Sequence, residues 1–199
     1  GAGVFIAPDG LVLTIGYLIL EADQVQLLLD SGRHLPARVV GYDLATGFGL
    51  LQPLAPLNIA PAPLGTSRGV TPEDSLLVVS GEPSGQLSAA RMVSRRVFAG
   101  SWEYRIDDAL FTSPPRTDHS GAALFNPRGE LVGIGSLVVN NALGSEGPML
   151  PGNMFVPIDL LQPILGELRS KGASAASQRA WLGIRIETLP ASDQYELQG

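Results

Sequence analysis

Thr117-Asp118-His119-Ser120-Gly121-Ala122-Ala123-Leu124 is followed by Phe125-Asn126-Pro127-Arg128-Gly129-Glu130-Leu131-Val132-Gly133-Ile134. A serine in a short polar loop opens an apolar strand. An Asn-Pro-Arg-Gly turn follows, with the residue types that set turn geometry, and a second apolar strand returns. A hydroxyl held between a loop and a strand is a candidate nucleophile, and such a serine needs a base within hydrogen-bond reach.

Working outward, the chain reads as short strands with turn signals between them. Gly3 to Ala7 and Leu11 to Thr14 flank Pro8-Asp9-Gly10, a hairpin signature. Gln24 to Leu29, His34 to Tyr42 and Phe48 to Leu51 continue the set, and residues 53–68 have a connector's Pro/Ala composition. Ser75 to Ser80, Leu87 to Phe98, Glu103 to Ile106, Ala122 to Phe125, Glu130 to Val139 and Met154 to Val156 form a second set. This spacing predicts an all-β sandwich or barrel pair. Residues 158–170 carry Leu160, Leu161, Ile164, Leu165 and Leu168 at helical spacing. Asp159 is the expected N-cap, Pro163 fits the first turn, and Arg169 to Gly172 suit the C-terminus. Residues 171–179 read as a linker, and Trp181 opens a new apolar strand.

Composition narrows the function classes. The chain has 199 residues, 45% hydrophobic and 16% charged, enough to bury a core. Its 24 glycines and 16 prolines suit a turn-rich β protein. Net charge is −6 with no basic stripe, which argues against nucleic acid as a partner. The absence of cysteine excludes disulfides, thiol catalysis and thiolate metal sites. No cofactor is expected.

The quoted loop and strand resemble the nucleophile loop and return strand of HtrA/Deg-type trypsin-like serine proteases. Gly1 to Thr14, Asp30 to Arg33 with Ala37 to Asp43, and Gly152 to Pro157 are similar to further family motifs, in family order. The resemblance implies a trypsin/chymotrypsin-like fold of two six-stranded β-barrels with a C-terminal helix and the active site between the barrels. The implied domain plan is a protease domain over 1–170, with a first barrel at about 1–57, a second at about 69–157 and a helix at 158–170. A linker at 171–179 and the start of a PDZ-like domain at 180–199, with Trp181-Leu182-Gly183-Ile184 as its entry, complete it.

On that alignment Ser120 falls on the nucleophile. Tyr17 stands where the general-base histidine belongs, and Gly47 where the orienting aspartate belongs. In the oxyanion loop Asp118 replaces a glycine, His119 takes an asparagine position, Ala122 replaces a second glycine, and an upstream aspartate appears as Thr112. A side chain at 118 is expected to oppose glycine's backbone geometry, and its carboxylate to disfavour a developing oxyanion. The resemblance therefore implies a pseudoprotease that binds extended peptides or a protein partner. It further implies a homo- or hetero-oligomer, trimeric as in the family, in an exported or periplasmic setting with or without a membrane tether. The alternatives are a serine endopeptidase or hydrolase in which Ser120 uses a non-standard base, and a purely structural module.

Three residues compete for the base role. His119 is adjacent to Ser120, so its side chain is expected to point away, as a solvated loop residue. His34 reads as a surface strand residue. Tyr17, with an ordinary pKa of about 10, is expected to fill a pocket rather than act as a base. Asp107-Asp108 read as a solvated turn rather than a metal site. Arg95-Arg96 read as a strand-edge charge pair. Residues 140–152 read as a flexible hairpin tip or, by resemblance, as a switching loop beside the specificity pocket.

Overall fold

The computed structural model describes residues 1–81, 87–100, 105–145 and 147–177. The fold is mostly β, two curled sheets and one short α-helix, on the trypsin-like double-barrel plan. The first sheet holds β1 (Val4–Phe5), β2 (Val12–Ile15), β3 (Val25–Leu28), β4 (His34–Tyr42) and β5 (Phe48–Pro53), in the order β1-β2-β5-β4-β3. The second holds β6 (Ser75–Val79), β7 (Leu87–Ala99), β8 (Arg105–Ser113), β9 (Ala123–Phe125), β10 (Leu131–Val139) and β11 (Gly152–Pro157). It closes as a barrel in the order β10-β11-β8-β7-β6-β9. The resemblance implies six strands in each barrel. The described residues form six in the second and five, in open order, in the first.

Two-residue periodicity explains how the sheets join. Along β2, Leu13 and Ile15 face a core shared with Phe48 and Leu50 of β5 and with Ile106, Phe111, Ile134, Met154 and Val156 of the barrel. Val12 points the other way, into a small cluster with Ile19, Ala37 and Leu51. Inside the barrel Val78, Met92, Leu110, Leu124, Val132 and Phe155 form a separate core. Each fully buried aliphatic or aromatic side chain contributes about 1.5–3 kcal/mol from removal of apolar surface from water. The shared core therefore fixes the two sheets, and the loops between them, relative to one another.

Several sequence expectations need correction. The strand expected at Glu103 to Ile106 extends as far as Ser113, β8 covering Arg105–Ser113, because its apolar half pairs with both β7 and β11; Glu103 and Tyr104 lie outside the described residues. The helix read over 158–170 divides. Ile158–Leu160 is a 3-10 turn, and α1 covers only Leu165–Lys171. Asp159 does not cap α1. It accepts hydrogen bonds from Thr66 Oγ1, Ser67 N and Ser67 Oγ, which tie the inter-sheet connector to this turn. Burial opposes the Asp159 charge, but these bonds outweigh it and hold its pKa below the ordinary value. Gly172 closes α1 with φ +81°, as expected of a C-terminal glycine.

The linker composition of 171–179 does not leave its described part loose, since Ser174 is buried and bonded to Asp43. Arg95 and Arg96 lie where β7 pairs with β8 alone, since β6 reaches only as far as Arg91, but both are half-buried rather than free edge charges. Arg95 donates to the Ser67 and Val70 carbonyls. Arg96 lies 3.8 Å over the Phe111 ring and donates to the Asn141 carbonyl. The described residues of the 140–152 loop are tied in: Ala142 is buried and bonded to Leu150, and Asn141 bridges the loop's own backbone. The PDZ-like start at 180–199 lies outside the described residues.

Candidate active site

The loop that carries Ser120 joins the end of β8 to β9. Gly121 has φ +77°, and a Cβ there would overlap the Ala2 carbonyl oxygen and meet Thr14 Oγ1. Gly121 N donates to Gly135 O and Ala122 N to His119 O, which closes the turn beneath Ser120. Ala2 N donates to Ser120 O, so the N-terminal segment lies along the loop. Asn153 of β11 clamps the loop's approach, its Oδ1 accepting from Arg116 N and its Nδ2 donating to Arg116 O.

Tyr17 reaches this loop from a 3-10 turn, Gly16–Leu18, that directly follows β2. Its hydroxyl oxygen is 2.8 Å from Ser120 Oγ and 2.5 Å from the Ser136 carbonyl oxygen. It does not fill a pocket, as the sequence led us to expect. The residue is 45% exposed and lies over the serine. A carbonyl only accepts, so the phenolic hydrogen serves Ser136, and the serine hydroxyl is left to donate to the phenol oxygen.

Gly47 sits in a left-handed conformation, φ +80°, at the end of the 43–47 turn. It has no side chain to orient anything. Its carbonyl instead accepts from Gly16 N at 2.6 Å, which fixes the start of the Tyr17 turn. A cavity of about 60 Å³ remains beneath Tyr17, bordered by Tyr42, Asp43, Leu44 and Gly47.

His119 is not solvated, contrary to expectation. It is buried, with Nε2 3.2 Å from the Ser136 carbonyl. That bond requires the hydrogen on Nε2, and Nδ1 has no hydrogen-bond partner among the described residues. The Ser136 carbonyl thus receives both Tyr17 and His119. His34 is exposed on β4, away from these groups.

Asp118 does not take up a left-handed backbone; among the described residues only Glu21 and Glu73 combine a side chain with positive φ. Its carboxylate is gripped by Arg116, Nε to Oδ1 at 2.8 Å and an NH2 to Oδ2 at 2.7 Å, and accepts from Ser80 Oγ at 2.6 Å. The Arg116 hydrogen bonds, against an opposing effect of burial and with help from Ser80, lower its pKa to about 2. The charge beside Ser120 is therefore paired. A cleft of about 210 Å³ opens here, lined by Gly1, Leu18, Gly81, Thr117, Asp118 and Ser120. Among the described residues no group of three or more His, Cys, Asp or Glu is placed to hold a metal.

Sequence reasoning missed Ser136, Arg116, Ser80, Asn153 and Asp43. The Arg-x-Asp spacing of 116 and 118 was a usable signal, since alternate residues of an extended loop share a side. Nothing local marks Ser136, which acts through its carbonyl.

A serine loop presented between two curled β-sheets defines the trypsin-like class. Residues 1–134 match the family described as "Trypsin-like peptidase domain", and the chain belongs to that family. Its relatives are of the HtrA type. A "Probable periplasmic serine endoprotease DegP-like" of Halomonas elongata is 29% identical over 198 residues, 95% of this chain and 38% of that protein. "Serine endoprotease DegS" of Haemophilus influenzae is 27% identical over 201 residues, 98% of this chain and 56% of its own. The chain thus spans about two-fifths to somewhat over half of these relatives. The solved structure "HtrA-type protease AlgW with decapeptide" superimposes with a TM-score of 0.74 at 22% identity, covering 100% of this chain and 59% of that one.

Proposed function

We propose that this chain is a catalytically degenerate HtrA-like serine protease homologue that binds peptides or a protein partner in its cleft. Ser120 is the vestigial nucleophile, Tyr17 occupies the general-base position and Gly47 the orienting position. The observation that carries this reading is the Tyr17 hydroxyl, held by both Ser120 and the Ser136 carbonyl. A neutral phenol cannot take the serine proton. A phenolate would set two electron-rich oxygens against each other at 2.5 Å. Either way Tyr17 does not take the proton, and acyl transfer by Ser120 lacks the base that its first step needs at this position. In a comparable triad enzyme, removing the base lowers turnover about a million-fold.

Peptide binding is supported by the structurally similar protease, which was solved with a decapeptide. A strand added to a sheet edge is the physical mode that suits such a ligand. Export to the periplasm rests on the Halomonas elongata relative, described as periplasmic. A PDZ-like continuation from 180 and a trimeric or mixed assembly belong to the same reading.

The test is fluorophosphonate labelling of the purified protein, with Ser120→Ala and an active trypsin-like protease as controls. Absence of labelling is the expected result. Labelling that disappears in Ser120→Ala would refute the reading in favour of a hydrolase with a non-standard base, beginning with His119.

A further inference from the structure

The segment after α1 is stitched to the first sheet more heavily than a linker requires. Gly172 O accepts from Tyr42 N at 3.0 Å, and Ser177 Oγ accepts from Leu44 N at 2.8 Å. Ser174 Oγ and Ser177 Oγ both donate to Asp43 Oδ1. Gly41 and Gly172 pack so closely that a Cβ on Gly41 would overlap the Gly172 backbone. Asp43 is fully buried, and its second oxygen accepts from Thr46 N at 2.8 Å and Thr46 Oγ1 at 2.7 Å. One carboxylate thus joins the segment to the 43–47 turn.

That turn leads to the cleft through consecutive hydrogen bonds. Gly47 N donates to Asp43 O at 2.7 Å, and Gly16 N donates to Gly47 O at 2.6 Å. Gly16 begins the 3-10 turn that carries Tyr17, and Tyr17 meets Ser120. The cavity of about 60 Å³ between the turn and Tyr17 leaves the ring room to move on that side.

We propose that residues 172–177 form a strap whose docking on Asp43 holds Tyr17 against Ser120, so that drawing the strap away releases the tyrosine from the cleft. The two states are strap docked and strap undocked, and the coupling runs through a buried carboxylate and one α-turn. With no ligand on Asp43 Oδ1, the turn loses its outer support and opens locally more often. A partner engaging the chain beyond Ser177 would thereby act on the cleft. The inference concerns the position of Tyr17 and does not depend on whether Ser120 is reactive.

The experiment uses the full chain with Ser174→Ala and Ser177→Ala together, read by residue-resolved amide hydrogen exchange. A second readout is the fluorine resonance of Tyr17 in protein carrying 3-fluorotyrosine, assigned with Tyr17→Phe. The Gly16 and Leu20 amides, which the strap does not touch, are expected to exchange about ten-fold faster or more, as local opening allows. The Tyr17 resonance is expected to shift, and the Gly121 and Gly135 amides to stay at wild-type rates. If the double variant does not fold, Asp43→Asn serves as the second variant with the same expected pattern. Faster exchange at Tyr42 and Leu44, with Gly16 and the Tyr17 resonance unmoved, overturns the proposal. Equal acceleration at Gly121 and Gly135 also overturns it, because the strap would then support the whole fold rather than the cleft.

Discussion

Asp118→Asn probes the residue that, by the family resemblance, replaces a glycine in the oxyanion loop. The substitution keeps the shape but removes the charge gripped by Arg116. The carboxyl pKa falls from 3.8 to about 2 in the folded protein, chiefly through the Arg116 hydrogen bonds. At about 1.4 kcal/mol per pH unit this sets a ceiling of roughly 2.5 kcal/mol on the contribution of the ionised form. The pair is about one-fifth exposed, so solvent screening brings the working figure to about 1–2 kcal/mol. A depressed carboxyl pKa stabilises the fold fully above its unfolded value near 4, and that stability is lost as pH falls toward 2. Urea unfolding should show the variant less stable by about 1–2 kcal/mol at pH 7. The gap should narrow below pH 4 and be mostly lost at pH 2, where the wild-type carboxyl is about half protonated in the fold and almost wholly protonated in the unfolded chain. Other buried carboxylates such as Asp43 titrate in both proteins and cancel in the difference. A gap independent of pH between 7 and 2 would refute the reasoning, since the Arg116–Asp118 pair would then contribute packing alone.

Two further outcomes follow from the loop's geometry. Asn153→Ala removes both bonds to the Arg116 backbone and leaves a buried amide and carbonyl to find other partners; a loss of about 2–3 kcal/mol in chemical denaturation is expected. Gly121→Ala places a Cβ against the Ala2 carbonyl in a left-handed backbone, and a loss above about 3 kcal/mol, or failure to accumulate as folded protein, is expected by circular dichroism and solubility.

The strand plan was legible because alternation, turn residues and apolar content all act over a few neighbours. β4 falls where the pattern places it, and the Asn126–Gly129 turn forms as read, with Asn126 Oδ1 accepting from Arg128 N and Glu130 N. The 158–170 helix was overextended because Asp159 had a better use than capping: Thr66 and Ser67, distant in sequence, claim its carboxylate. His119 was placed in solvent because nothing local shows that Ser136 O lies within reach of its ring.

The proposed assignment of Ser120, Tyr17 and Gly47 to the nucleophile, base and orienting positions came from the sequence by itself, since it follows from order along the chain. It also determined the β character of the fold, through short-range periodicity and turn chemistry. Only the tertiary structure decided what those residues do to one another. The Tyr17 hydroxyl meets Ser120 and Ser136 because the core shared by the two sheets brings β2 against β10. Asp118 is neutralised by Arg116 and Ser80, and a stretch of linker composition becomes a strap on Asp43. Hydrogen bonds between residues far apart in the chain depend on packing, and packing is settled by the burial of both sheets at once.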